Sequence, residues 1–319
     1  MTTTIPIDEP PQPSGEAALR GAEWRSRLEG LIPRSVNHKK VAIVGCGSVG
    51  SFMASELARS GIQDFFLVDP DVVEWPNLTR TVYGQRDIGR RKVDALADHI
   101  RGIFSDIKVA THAGTVQQLA PDFASAFRDV SLVVCAVDEP PATGLLNRYC
   151  YALGIAAVFV GLYKGAKGGE VIVTLPEMTP CFHCSTGGIR RVAEDTGIEG
   201  VSRTQRDYGT NRLVAEVALG SDIHFVCCAA VKLSLSVLSQ SSDDAPSELA
   251  SFFERQQAER CNFVMLGTTP NYFMFPTTHA TAIGQYAFQS LWAQTSSDSD
   301  CDVCGLPESR EPLAQVTAG

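Results

Sequence analysis

The sequence predicts an α/β protein built on a doubly wound, mostly parallel sheet. Three observations carry that prediction. Short apolar runs alternate with segments of helical periodicity from residue 40 to residue 161. The first run passes straight into a glycine-rich turn, Gly45-Cys-Gly47-Ser-Val-Gly50. The chain is 319 residues long and 44% hydrophobic, long enough for a large buried core and too apolar for a disordered chain.

The elements follow in order. Residues 1–18 are rich in Pro and Thr and read as a mobile tail, and Leu19–Pro33 as a short amphipathic helix with several arginines. Lys40–Val44 is apolar and ends at glycine, as a buried strand does. Val49, Phe52, Met53 and Leu57 then recur at helical spacing, and Gly61 closes that helix. Phe65–Val68 is the next strand, ended by Asp69. A helix over Arg91–Ile103, strands over Ile107–Ala110 and Leu132–Ala136, a helix over Gly144–Leu153 and a strand over Ala156–Gly161 continue the alternation. Gly165–Gly169 leads into an added strand, Glu170–Leu175. Polar residues 185–218 read as a long crossover loop and Ile223–Leu238 as a buried helix. A C-terminal extension over 240–306 and a mobile tail over 307–319 complete one main domain, 19–306.

Composition narrows the function classes. A net charge of −9 argues against general binding to nucleic acid or anionic membrane. No apolar run reaches the roughly 18 residues of a membrane span. The first residues lack the cationic and apolar pattern of a leader, so a cytoplasmic location with reduced thiols is expected. Ten cysteines in that setting point to metal binding or chemistry rather than disulfides.

The glycine turn lies between a strand and a helix, where backbone N–H groups approach a phosphate. Asp69 follows Gly50 at the distance where a carboxylate reaches ribose hydroxyls. Taken alone, this motif does not separate NAD from ATP. Asp69-Pro-Asp71, Asn77-Leu-Thr-Arg80 and Gly89-Arg-Arg-Lys92 come next. Their plainer reading is a solvated loop and a charged helix start. An amide, a forked cation and a point charge directly after the nucleotide carboxylate are what a triphosphate needs, and a dehydrogenase does not need them there. Asp138 follows the fourth strand, where it either holds Mg²⁺ on phosphates or caps the next helix. Cys181-x-x-Cys184 and Cys301-x-x-Cys304 supply four thiolates for a closed tetrahedral zinc.

Together these motifs resemble the ThiF/MoeB/HesA family, whose Rossmann-like adenylation fold is shared with ubiquitin-activating enzymes. The resemblance covers residues 40–238 and the last cysteine pair. It implies Mg-ATP-dependent adenylation of the C-terminal glycine of a ubiquitin-like or sulfur-carrier protein, with release of pyrophosphate. Carried over by motif, Gly45, Gly47 and Gly50 form the nucleotide loop, Asp69 takes the ribose and Asp71 supports the site. Asn77, Arg80 and Lys92 hold phosphates, and Asp138 binds magnesium. The family implies a homodimer in which an N-terminal Arg reaches the partner's ATP; Arg25 is preferred here over Arg20 and Arg27. It also implies a receiving partner, either a conjugating enzyme or a sulfurtransferase.

The sequence departs from the family pattern at Thr81, Glu139 and Thr143, where Gln or His, Asn and Arg are common. No cysteine lies between Cys184 and Cys227, so a thioester nucleophile is missing from the crossover loop. Cys227 and Cys228 read as core residues of an apolar helix. Cys261, beside Arg260, is the remaining candidate nucleophile. The expectation is an activator that passes on its acyl-adenylate without forming a thioester. The competing functions are an NAD-dependent oxidoreductase, a silent scaffold, and adenylation of a small molecule, peptide or tRNA base.

Overall fold

The computed structural model describes residues 23–187, 217–240, 247–270 and 287–311. The expected tail 1–18, Arg20 and most of the crossover loop lie outside the described residues. Among the described residues, eight strands form one sheet: β1 (Lys40–Val44), β2 (Asp64–Val68), β3 (Lys108–His112), β4 (Val130–Cys135), β5 (Ala156–Leu162), β6 (Gly168–Thr174), β7 (Phe263–Gly267) and β8 (Gln289–Ala293). Their order is β3-β2-β1-β4-β5-β6-β7-β8. Neighbours are parallel as far as β5 and antiparallel from β5 to β8.

Among the described residues, four long helices cover the sheet: α1 (Ser48–Arg59), α2 (Lys92–Ile103), α3 (Pro140–Ala152) and α4 (Gly220–Gln240). Alternation along the strands separates two cores. Val41 and Ile43 face one way and pack with Met53 and Leu57 of α1, Leu96 of α2 and Val226 of α4. Ala42 and Val44 face the other way and pack with Leu146 of α3, Phe123 and Phe127. Truncating a fully buried side chain such as Leu57 to Ala is worth about 2–5 kcal/mol. α4 is long and apolar enough to cross a bilayer, yet it packs on α1, β5 and β6 as a core helix.

Three boundaries differ from the sequence reading. Within the expected helix 19–33, the described residues are helical over 23–25 and continue as turns to residue 32, and a short 3-10 helix over Arg34–His38 then leads into β1. The Arg25 guanidinium folds back onto the carbonyls of Ile32 and Pro33, which draws that segment into a loop. α3 starts four residues earlier than periodicity indicates, because Pro140 and Pro141 occupy the first turn, where a missing N–H costs nothing. The expected tail boundary at 307 also moves. Arg148 of α3 pairs with Asp302 and Glu311, and Arg310 pairs with Glu177, so residues 310 and 311 are tied to the main domain.

Candidate active site

From β1 the chain adds β2 and β3 on one side, then β4 and β5 on the other. The crevice where such a sheet reverses its winding, at the carboxyl ends of β1 and β4, is where ligands bind in open α/β sheets. The glycine turn opens directly into it. Gly45 has φ +92°, and a Cβ on it would lie 2.5 Å from the Ala136 carbonyl oxygen at the end of β4. A Cβ on Gly50 would lie 1.8 Å from the Gly45 carbonyl oxygen, so α1 could not start so close to β1. Gly47 is different, because a Cβ there would meet nothing within 4 Å. The fold does not require glycine at 47, whereas a phosphate approaching the backbone does.

That contrast makes a prediction. Gly47→Ala should keep the wild-type melting midpoint and weaken ATP binding by about tenfold or more, one lost phosphate contact. Gly50→Ala should destabilise the fold itself by about 1–3 kcal/mol or more, an overpacking cost. Thermal melts and calorimetric titration of both variants read the two effects separately.

Asp69 at the end of β2 ties the loop in place. It is 5% exposed. One carboxylate oxygen accepts from Cys46 N at 2.6 Å and the other from Asp71 N at 2.8 Å. Burial raises its pKa above the usual carboxylate value, opposed by Lys92 and by the two amide donors. Residues 71–73 pair with 89–92: Val73 N donates to Arg90 O at 2.8 Å and Lys92 N to Asp71 O at 2.9 Å. This short ladder delivers the Lys92 ammonium to Asp71, with Nζ to Oδ2 at 2.8 Å. Burial works against the Lys92 charge, but Asp69 and the hydrogen bond to Asp71 hold its pKa above the ordinary lysine value. Lys92 is thus a fixed, fully charged cation at the crevice. Sequence reasoning missed Tyr83, whose hydroxyl donates to Cys46 O at 2.6 Å and lies 3.3 Å from Lys92 O. It joins the glycine turn to the start of α2, and no spacing rule marks it.

Asn77 closes the short turn that leads to Arg80, its side-chain oxygen accepting from Glu74 N at 2.9 Å. Thr81 donates back to Asn77 O at 2.8 Å. Arg80 is half-buried at the end of this turn. Asp138 is exposed in the short link from β4 to α3. The alternative of a helix cap is not realised, because Glu139 holds the N-cap position. Thr143 donates to Glu139 O at 3.2 Å, so both departures at 139 and 143 serve the start of α3. An exposed carboxylate with no cation beside it among the described residues suits a hard cation that also binds phosphate oxygens.

The four cysteines of the two pairs converge, their Sγ atoms all within 4.8 Å of one another. Cys181 and Cys301 are 3.8 Å apart, and Cys184 and Cys304 are 3.5 Å apart. Tetrahedral zinc with Zn–S of about 2.3 Å needs sulfurs about 3.8 Å apart. The donor set therefore fits zinc, in a closed site with no open position for substrate. It follows the ends of β6 and β8, which run against β5, so it lies at the amino edge of the parallel strands. The crevice lies at the carboxyl edge, about 17 Å away for a five-residue strand.

Two expected roles are corrected by the same geometry. Cys261 precedes β7, which runs in the direction of β5, so the thiol also lies at the amino edge. Partial burial and Glu259 raise its pKa, and Arg260 does not lower it. It is neither near the crevice nor activated. The Arg25 side chain is folded back onto its own chain. It is 7% exposed, and its guanidinium hydrogen-bonds Asn37, Ile32 O and Pro33 O. Arg27 is exposed.

The ThiF family profile matches residues 31–270. The chain belongs to the ThiF family. Among similar proteins, ubiquitin-like modifier-activating enzyme 5 of Oryza sativa subsp. japonica is 30% identical over 158 residues, 46% of this chain and 37% of that one. The same enzyme of Branchiostoma floridae is 32% identical over 155 residues, covering 46% and 38%. This ThiF chain thus matches less than half the length of these relatives. Among solved structures, E. coli MccB with AMPCPP and MccA shares the fold at TM-score 0.58 and 16% identity, over 85% of this chain and 67% of that one. PaaA does so at TM-score 0.61 and 17% identity, over 88% and 84%.

Proposed function

We propose that this ThiF-family chain adenylates the C-terminal glycine carboxylate of a ubiquitin-like or sulfur-carrier protein. The observation that supports this most directly is the fixed Asp69–Lys92–Asp71 arrangement beside a glycine turn that leaves room for a ligand at Gly47. The acyl carboxylate attacks the α-phosphorus of ATP. A C–O–P bond forms, the bond from the α-phosphorus to its bridging oxygen breaks, and pyrophosphate leaves with the electron pair. Asp69 holds the ribose hydroxyls, and the backbone N–H groups of 47 and 48 face the phosphates. Lys92 and Arg80 neutralise charge that grows on the leaving group, and preorganised cations act most strongly at that point. Asp138 would hold Mg²⁺, which adds positive charge on the phosphates. The zinc-type cluster takes no part in the chemistry.

The product is an acyl-adenylate handed to another protein. Among the cysteines, Cys46, Cys135, Cys150 and Cys227 are buried and four form the cluster. Cys228 and Cys261 remain accessible, and partial burial with Glu56 and Glu259 respectively raises both pKa values. Neither is a prepared nucleophile. ATP–pyrophosphate exchange is the test, with candidate carrier proteins ending in glycine, free peptides, and no acyl donor in parallel. Exchange that needs the carrier's terminal glycine and persists in Cys228→Ser and Cys261→Ser supports the reading. Exchange with free peptides alone would replace the carrier protein by a peptide substrate. NAD binding without exchange would overturn adenylation.

A further inference from the structure

α4 begins against the turn that carries Arg80. A Cβ on Gly220 would lie 3.2 Å from the Thr79 carbonyl oxygen and 3.4 Å from Arg80 Cα. One helical turn on, the His224 imidazole lies against the Arg80 backbone, close enough to interact with its carbonyl. Its ring stacks on Phe52, with centroids 4.0 Å apart and planes 14° from parallel. Phe52 belongs to α1, the helix that the glycine turn opens. Three pieces of chain therefore meet at one imidazole: the glycine-turn helix, the Arg80 turn and the start of α4.

The remaining ring nitrogen is telling. Among the described residues, His224 Nε2 is buried with no hydrogen-bond partner. An unpaired buried nitrogen costs stability. Phenylalanine would fill the same space against Phe52 without that cost. What phenylalanine lacks is a ring nitrogen to offer the Arg80 backbone.

We propose that His224 is a positioning residue for phosphate binding: it locks the Arg80 backbone against the glycine-turn helix, so that guanidinium and glycine turn meet the same phosphates in one geometry. This rests on the reading of Arg80 as a phosphate ligand. His224 does not touch the nucleotide. It removes the freedom of the 75–80 turn that binding would otherwise have to freeze, and preorganisation of that kind shows in affinity.

A mutant cycle on the full chain tests this. Wild type, Arg80→Ala, His224→Phe and the double variant are titrated with Mg-ATP by calorimetry, with a thermal melt of each. Arg80→Ala should weaken binding by about 50-fold, the strength of a charge-assisted contact. His224→Phe should weaken it by about fivefold at an unchanged melting midpoint, and the double variant should bind no worse than Arg80→Ala, because coupled residues are not additive. His224→Gln, which retains a donor for the Arg80 carbonyl, should recover most of the loss. A His224→Phe protein that binds ATP as the wild type does overturns the proposal. So does a double variant whose loss is the product of the two single losses. Arg80→Ala with wild-type affinity would overturn the roles of both residues. If no acyl donor supports pyrophosphate exchange, the proposed function fails, while the cycle still decides the role of His224.

Discussion

Lys92→Met should lower ATP–pyrophosphate exchange by about 10²–10³-fold, the loss seen when one preorganised charge donor is removed from a transition state. Lys92 is held by Asp71 at 2.8 Å and lies mostly out of solvent, so no water-borne cation replaces it cheaply. The variant should also lose stability, and the loss should depend on pH in a defined direction. Lys92 has a raised pKa, so its stabilising contribution is complete below the ordinary lysine value and falls only as pH rises through that raised pKa. At neutral pH the wild type therefore has all of it and the variant has none. Without Lys92, the buried Asp69 loses the cation that opposes its upward shift. A carboxyl whose folded pKa is raised favours the folded state more as pH falls. The gap in melting midpoint between variant and wild type should narrow from pH 8 down through the acid range. Asp138→Asn gives the contrast. It should cost a similar factor in exchange with no change in midpoint, because its side chain is exposed. Melts of both variants across pH, beside exchange assays at pH 7.5, decide the matter. A Lys92→Met enzyme with near wild-type exchange would remove Lys92 from the chemistry.

Legibility in the sequence follows how local each feature is. The places of the glycine turn, Asp69 and the start of α2 in the fold are legible because strand, turn and helix are adjacent and their periodicities differ. The cysteine pairs are legible for another reason: thiolate chemistry constrains spacing within each pair, so the pairs stand out although 117 positions separate Cys184 from Cys301. What stays hidden depends on direction and on side-chain contact. Cys261 stands beside an arginine and looks activated, yet the antiparallel turn at β6 puts β7's start at the edge away from the crevice. Nothing in the local sequence states that reversal. Arg25 looks like one cation on a solvated helix face, and only the fold shows that its guanidinium caps the carbonyls of Ile32 and Pro33. Tyr83 and His224 act through backbone atoms of Cys46 and Arg80, and a backbone acceptor leaves no mark in the sequence.

Removing zinc should cost stability far more than it costs nucleotide binding. The four sulfurs join the segment after β6 to the segment after β8, and Arg148, Arg310 and Glu177 close only the outer side of the same junction. Solvent-exposed ion pairs of that kind are worth about 0–1 kcal/mol each. The metal is worth far more, since structural zinc binds with about 10–16 kcal/mol in small domains. A net loss of even about 5 kcal/mol lowers the midpoint of a chain this size by about 7 °C. Loss should begin at β8, which among the described strands is the edge strand paired with β7 alone and leads directly toward Cys301. Chelation, or Cys301→Ser with Cys304→Ser, should release one zinc per chain and lower the midpoint by that amount. Amide exchange over 289–311 should rise first. ATP affinity below the new midpoint should change by less than about threefold, because the crevice lies at the other edge of the sheet, about 17 Å away. Metal analysis, a thermal melt and a titration on one sample test all three statements. A protein purified without zinc and melting as the chelated one does would show that packing and ion pairs alone hold this junction. A large loss of ATP affinity at unchanged fold would mean instead that the cluster communicates with the crevice through α3, the helix that runs from Asp138 to the cysteines.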